Sequence, residues 1–111
     1  MSLASIDFGL GETLNDPAER HEFFRAITQD DIATQIRSIR RLRGLTQAHL
    51  AQRVGMKQSA ISRIEQADYA SWSSTTLFKV AAGLNARWKI VLEPYEDAIQ
   101  EFDPIEESRQ A

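Results

Sequence analysis

Lys57, Gln58, Ser59, Ser62 and Arg63 fall within one short stretch, and all five side chains donate hydrogen bonds. Gln58 can form two parallel bonds with an adenine edge, and Arg63 can do the same with guanine. Lys57 and the serines suit phosphate oxygens or base edges. Each good two-bond pair is worth roughly 1–3 kcal/mol of discrimination. The five share an outward face only on a helix, because Ile61 and Ile64 then fall together on the opposite one.

A second helix must hold that one. Thr46 is a good N-cap, and Leu50, Ala51 and Val54 recur at helical spacing behind it. Ala51 is small where two helices must cross. Gly55 ends the first helix with positive φ. The second begins near Lys57 or Gln58. Thr46 to Glu65 therefore reads as two short helices joined by a tight turn, the arrangement that places a helix in the DNA major groove.

Charge segregates in the same direction. The chain has 111 residues and a formal charge of −3. From Ile32 to Lys89, ten Lys or Arg face only Glu65 and Asp68, a net +8. The residues before Ile32 carry −5, and those from Ile90 onward carry −6. A basic middle between acidic flanks is the pattern of a polyanion-binding module whose ends do another job. Arg37, Arg41, Arg43, Arg53 and Lys79 are candidates for general phosphate attraction, although a solvated helix face explains most of them. Ser71, Ser73 and Ser74 can donate to phosphate, with at least one acting as a helix cap. Trp72 reads better as a packed loop anchor than as a wedge against the DNA backbone.

The length suggests one domain with tails. With no cysteine, disulfides and Cys-based zinc sites are excluded. His21 and His49 are far apart and read as surface helix residues. There is no membrane-length apolar run and no signal-peptide pattern, so the expected location is cytoplasmic. No cofactor, metal cluster, phosphate loop or nucleophile arrangement is visible, and an enzyme is rejected.

Four stretches follow along the chain. Residues 1–29 form an N-terminal extension. Leu3, Ile6, Phe8 and Leu10 lie in its irregular first part. A helix follows, from Asn15 or Asp16 to about Ile27, with Phe23, Phe24 and Ile27 packed on the domain. Residues 30–85 hold the DNA-binding domain, beginning with a helix from Asp30 or Asp31 to Arg43 that buries Ile32, Ile36 and Ile39. Its last helix is capped by Ser73 or Ser74, buries Leu77, Val80 and Ala81, and ends at Gly83 or Asn85. Residues 86–94 change period: Trp88, Ile90 and Leu92 alternate to one side, a strand signal that Pro94 stops. Residues 95–111 are an acidic tail, partly helical at most, containing Pro104.

A lone strand needs a partner for its backbone groups. The same strand from a second copy, paired across a two-fold axis, is the expected solution, with Trp88, Ile90 and Leu92 near the interface of a homodimer.

The block RRLRGLTQAHLAQRVGMKQSAISRIE, with the TL that follows it, resembles the Xre family of Cro/cI-type helix-turn-helix regulators, from about Ile36 to Leu84. The fold expected is mainly α: a lambda-repressor-like helix-turn-helix bundle with an extra N-terminal helix and one C-terminal β-strand. The resemblance implies that Gln58 to Gln66 is the recognition helix. It implies phosphate contacts from Gln47 and Lys57, and base contacts from Gln58, Ser59, Ser62 and Arg63. Arg40 and Glu65 match positions that form a structural ion pair in some members. The terminal strand resembles the antitoxin-type members, HipB-like and HigA-like. It takes the place of the fifth helix of phage-type repressors.

The expected function is sequence-specific binding of double-stranded DNA at a palindromic operator, as a repressor. The alternative is an antitoxin that neutralises a toxin protein through its acidic flanks and regulates its own operon.

Overall fold

A computed structural model describes residues 14–68 and 72–102. Leu3, Ile6, Phe8, Leu10, Ser71 and Pro104 lie outside them. The described residues are helical: α1 (Pro17–Leu42), α2 (Gln47–Val54), α3 (Gln58–Ile64), α4 (Ser74–Gly83) and α5 (Tyr95–Ala98), which runs into a 3₁₀ turn at Ile99–Glu101. They group into two units, 24–89 and 14–23 with 90–102.

The helices expected to end at Ile27 and to begin again at Asp30 are one. Asp16 starts α1, its carboxylate accepting from the Ala18 N–H at 3.1 Å, with Pro17 in the first position. From there to Leu42 no Gly or Pro interrupts it. Thr28 satisfies its hydroxyl on the Phe24 carbonyl one turn back at 2.9 Å, and Asp30 and Asp31 stay exposed in mid-helix.

In the 24–89 unit, Ile36 of α1, Leu50 and Ala51 of α2, Ile61 and Ile64 of α3, Val80 of α4 and Leu84 form one core cluster. Ile32, Ile39, Leu45, Val54, Met56, Trp72 and Trp88 pack against it. Thr46 caps α2 through a reciprocal pair: its Oγ1 accepts from the His49 N–H at 3.0 Å, while its own N–H donates to His49 Nδ1 at 3.4 Å. Ser73 caps α4, accepting from the Thr76 N–H at 3.2 Å.

Three helix ends use one device. Gly44 (φ 70°), Gly55 (φ 68°) and Asn85 (φ 51°) adopt left-handed backbone beyond α1, α2 and α4. In each case the next N–H reaches five residues back: Leu45 to Arg40, Met56 to Ala51, and Ala86 to Ala81. Of the two residues expected to end α4, Gly83 is the last helical one and Asn85 supplies the left-handed turn. Gly83 sits in α4 where the helix crosses α2, and a Cβ there would collide with the Val54 side chain and approach Leu50 to 3.2 Å.

In the other unit, Arg20 lies over the Tyr95 ring, 4.1 Å from its centroid. The Arg20 guanidinium and the Tyr95 hydroxyl both donate to the Leu14 carbonyl, at 3.2 and 3.1 Å. Phe23 and Phe102 meet edge to face at 5.2 Å.

Among the described residues, the strand expected over 86–94 does not appear. Among the described residues no second strand is present to pair with it, and no hydrogen bond reaches the backbone of 87–93.

Candidate nucleic-acid interface

The base of α3 is fixed by burial and by one carboxylate. Ile61 and Ile64 are buried, and Glu65, the residue that ends α3, is 5% exposed. Its carboxylate accepts from Arg40 Nε at 2.6 Å and Arg40 Nη2 at 2.9 Å, a two-pronged ion pair across 25 positions. Arg40, 8% exposed, also donates Nη1 to the Leu45 carbonyl at 2.8 Å. One guanidinium thereby ties the end of α1 to the turn before α2 and to the end of α3. The Glu65 hydrogen bond outweighs burial and raises the Arg40 pKa further, so the cation persists at any working pH. Arg37 adds a bond to the Glu65 carbonyl at 3.0 Å.

The opposite face is open. Lys57, Gln58, Ser59 and Arg63 are exposed, and Ser62 is half-buried. Among the described residues, none of these five side chains has a hydrogen bond or ion pair. Lys57 occupies the N-cap position with extended backbone (φ −74°, ψ 146°), at the end of the three-residue turn from α2. A Lys cannot accept from the free N–H groups of the first turn, so those donors also face outward. Gln47 begins α2, half-buried, and its amide nitrogen donates to Glu65 Oε1 at 3.2 Å. That bond aims the side chain and leaves its second N–H and its carbonyl oxygen for other partners.

The basic residues sort into two groups. Arg37, Arg40, Arg43 and Arg53 are engaged inside the unit. Arg43 donates Nε to the Leu84 carbonyl at 2.9 Å and Nη2 to the Asn85 carbonyl at 3.0 Å, and Arg53 reaches the Gly83 carbonyl at 3.3 Å. Arg43 and Arg53 stay exposed, as expected of a solvated face, and also reach backbone carbonyls beyond α4. Arg41, Lys57, Arg63, Lys79, Arg87 and Lys89 are exposed, without a partner among the described residues. The carbonyls that Arg37, Arg43 and Arg53 reach lie 28 to 42 positions away, so no local pattern announces them.

Trp72 is half-buried against the core. Trp88 parts from the two residues it alternates with: its indole N–H donates to the Leu77 carbonyl at 2.7 Å, and its ring packs on the core. Ile90, Val91 and Leu92 are 79%, 68% and 97% exposed. Among the described residues, no group of three His, Asp or Glu is placed to hold a metal ion, and no helix is long and apolar enough to cross a membrane.

Residues 36–88 match the family model described as helix-turn-helix. The match runs from the buried Ile36 to the anchored Trp88 and stops before Ile90. Neither a curated protein nor a solved structure matches the chain.

Proposed function

Taking as premise that residues 36–88 carry a helix-turn-helix domain of Cro/C1 type, and so a DNA-binding regulatory unit, we propose that the chain is a sequence-specific transcriptional repressor. It binds a palindromic operator as a homodimer, with α3 in the major groove of each half-site. The observation that carries this reading is the open face of α3: four exposed polar side chains without partners among the described residues, on a helix whose other face is buried and pinned by Glu65. Gln58 and Arg63 read base edges, assisted by Ser59 and Ser62. Lys57 and Gln47 contact phosphates.

The dimer reading rests on residues 87–93. Their backbone N–H and C=O groups lack partners among the described residues, and Ile90, Val91 and Leu92 are exposed beside them. Such a segment is an open strand edge, and an antiparallel copy of itself satisfies it with two-fold symmetry. Two α3 helices then sit about 34 Å apart, one turn of DNA.

The acidic flanks give the second reading. The pieces 14–23 and 90–102 carry Asp16, Glu19, Glu22, Glu93, Glu96, Asp97 and Glu101 against Arg20. They pack together through Arg20–Tyr95 and Phe23–Phe102. An acidic surface with its own packing suits a basic protein partner, as in an antitoxin that also represses its operon.

Binding of the purified protein to its own upstream DNA and to scrambled DNA, at two salt concentrations, tests the first reading. Selective binding that persists at higher salt is expected. Equal binding to both, collapsing with salt, would reduce the activity to polyanion attraction. Co-purification of a small basic protein encoded alongside would favour the second.

A further inference from the structure

The exit from α4 is held more tightly than a helix end requires. Backbone N–H groups at Leu84, Asn85 and Ala86 occupy the Val80, Ala81 and Ala82 carbonyls. Arg53 of α2 and Arg43, just beyond α1, take the next three: Arg53 holds Gly83, and Arg43 holds Leu84 and Asn85 in one planar fork. Three residues after Asn85, the Trp88 indole N–H bonds the Leu77 carbonyl. Its ring lines a small apolar depression with Ile36, Ile39, Val80 and Leu84. Backbone bonding then stops, and none is found over 87–93 among the described residues.

A helix C-terminus is ordinarily satisfied by its own turn and by water. Here two long side chains are ordered to fix it, although rotamer entropy opposes that. Arg43 is exposed and joins the end of α1 directly to the last carbonyls beyond α4.

We propose that Arg43 and Trp88 are positioning residues that set the permitted spacing between the two half-sites of the operator. This rests on the dimer reading above. Paired 87–93 segments define the two-fold axis, and α3 is rigid with the core. The chain passes from α3's unit to the paired segment through the exit from α4. Arg43 closes that joint from the backbone side, and Trp88 closes it from the core side. Neither residue touches a base. They convert a flexible tether, tolerant of many spacings, into a fixed arm that accepts one. One added base pair moves a half-site by about 3.4 Å and turns it by about a tenth of a turn, which a clamped arm cannot follow.

The test uses the full chain. Duplexes are selected by the wild type from a random-sequence pool, and the best site is remade with the centre one or two base pairs longer or shorter. Wild type, Arg43→Lys and Trp88→Phe are compared on this series and on a duplex with a single half-site. Arg43→Lys keeps the charge and loses the planar fork. Trp88→Phe keeps most of the packing and loses the N–H donor. Sedimentation and thermal melting confirm that each variant is folded and dimeric.

Wild type should lose about tenfold in affinity per base-pair change, the scale of one lost base contact. The variants should lose about threefold or less across the series, while single half-site binding is unchanged. A merely structural role would weaken every duplex alike and leave the spacing preference intact, and that result overturns the proposal. A monomeric wild type, or one indifferent to spacing, would remove the dimer reading and the clamp with it. Failure to select any site would instead sink the DNA-binding reading.

Discussion

The helix α3 and the segment 87–93 both lack partners among the described residues, in opposite ways. In α3 the backbone is bonded within the helix, and the side chains Lys57, Gln58, Ser59 and Arg63 are free. In 87–93 the backbone has no partner among the described residues, while Trp88 is used internally and Ile90, Val91 and Leu92 are exposed. Free polar side chains on a rigid helix can discriminate between surfaces that differ in donor and acceptor pattern, as base edges do. Free backbone groups carry no such code. They fit another extended strand, and the apolar side chains beside them add affinity. On the proposed reading, one region reads sequence and the other assembles copies.

The largest effect tests the support beneath α3. Arg40→Ala leaves Glu65 buried without its cation and should cost about 3–5 kcal/mol of stability, read by urea denaturation. A loss under about 1 kcal/mol would place the pair among surface ion pairs, which contribute little. Next comes the assembly region. Leu92→Lys should weaken self-association by about ten- to a hundredfold, the worth of one buried Leu, with the melting temperature of the dilute protein unchanged. Unaltered sedimentation would show that 87–93 is not the contact.

Arg63→Ala separates the two regions further. It should relax preference at one base position per half-site by roughly 1–3 kcal/mol and leave the dimer intact; an unchanged site profile would remove Arg63 from base reading. The smallest effect is that of Lys57→Ala, which should weaken all sequences alike and reduce the salt slope by about 1. A change of base preference instead would move Lys57 from phosphate to base.

The parts of this comparison that the sequence exposed are the local ones. Thr46 and Gly55 bound α2 because capping and left-handed backbone involve neighbouring residues. Ile61 and Ile64 put the polar face of α3 outward for the same reason. The apparent boundary at Asp30 was misleading, because acidic residues stop a helix only if something better is on offer, and no Gly or Pro offers it. Gly83 reads as a helix end, yet the Val54 side chain it admits is 29 positions away. The roles of Arg43 and Arg53 were hidden by the same distance. Alternation placed Trp88, Ile90 and Leu92 on one side, but a period of two cannot tell which residue finds a carbonyl in its own bundle.

The indole–Leu77 bond has an optical consequence. The chain has two tryptophans, and both Trp72 and Trp88 pack against the bundle core. Intrinsic emission therefore reports melting of the bundle and is nearly silent toward local opening beyond Lys89. The same protein followed by fluorescence and by amide exchange at Ile90 to Leu92 should show two separate transitions. If copies pair through 87–93 as proposed, the second would depend on protein concentration, whereas local fraying of one chain would not.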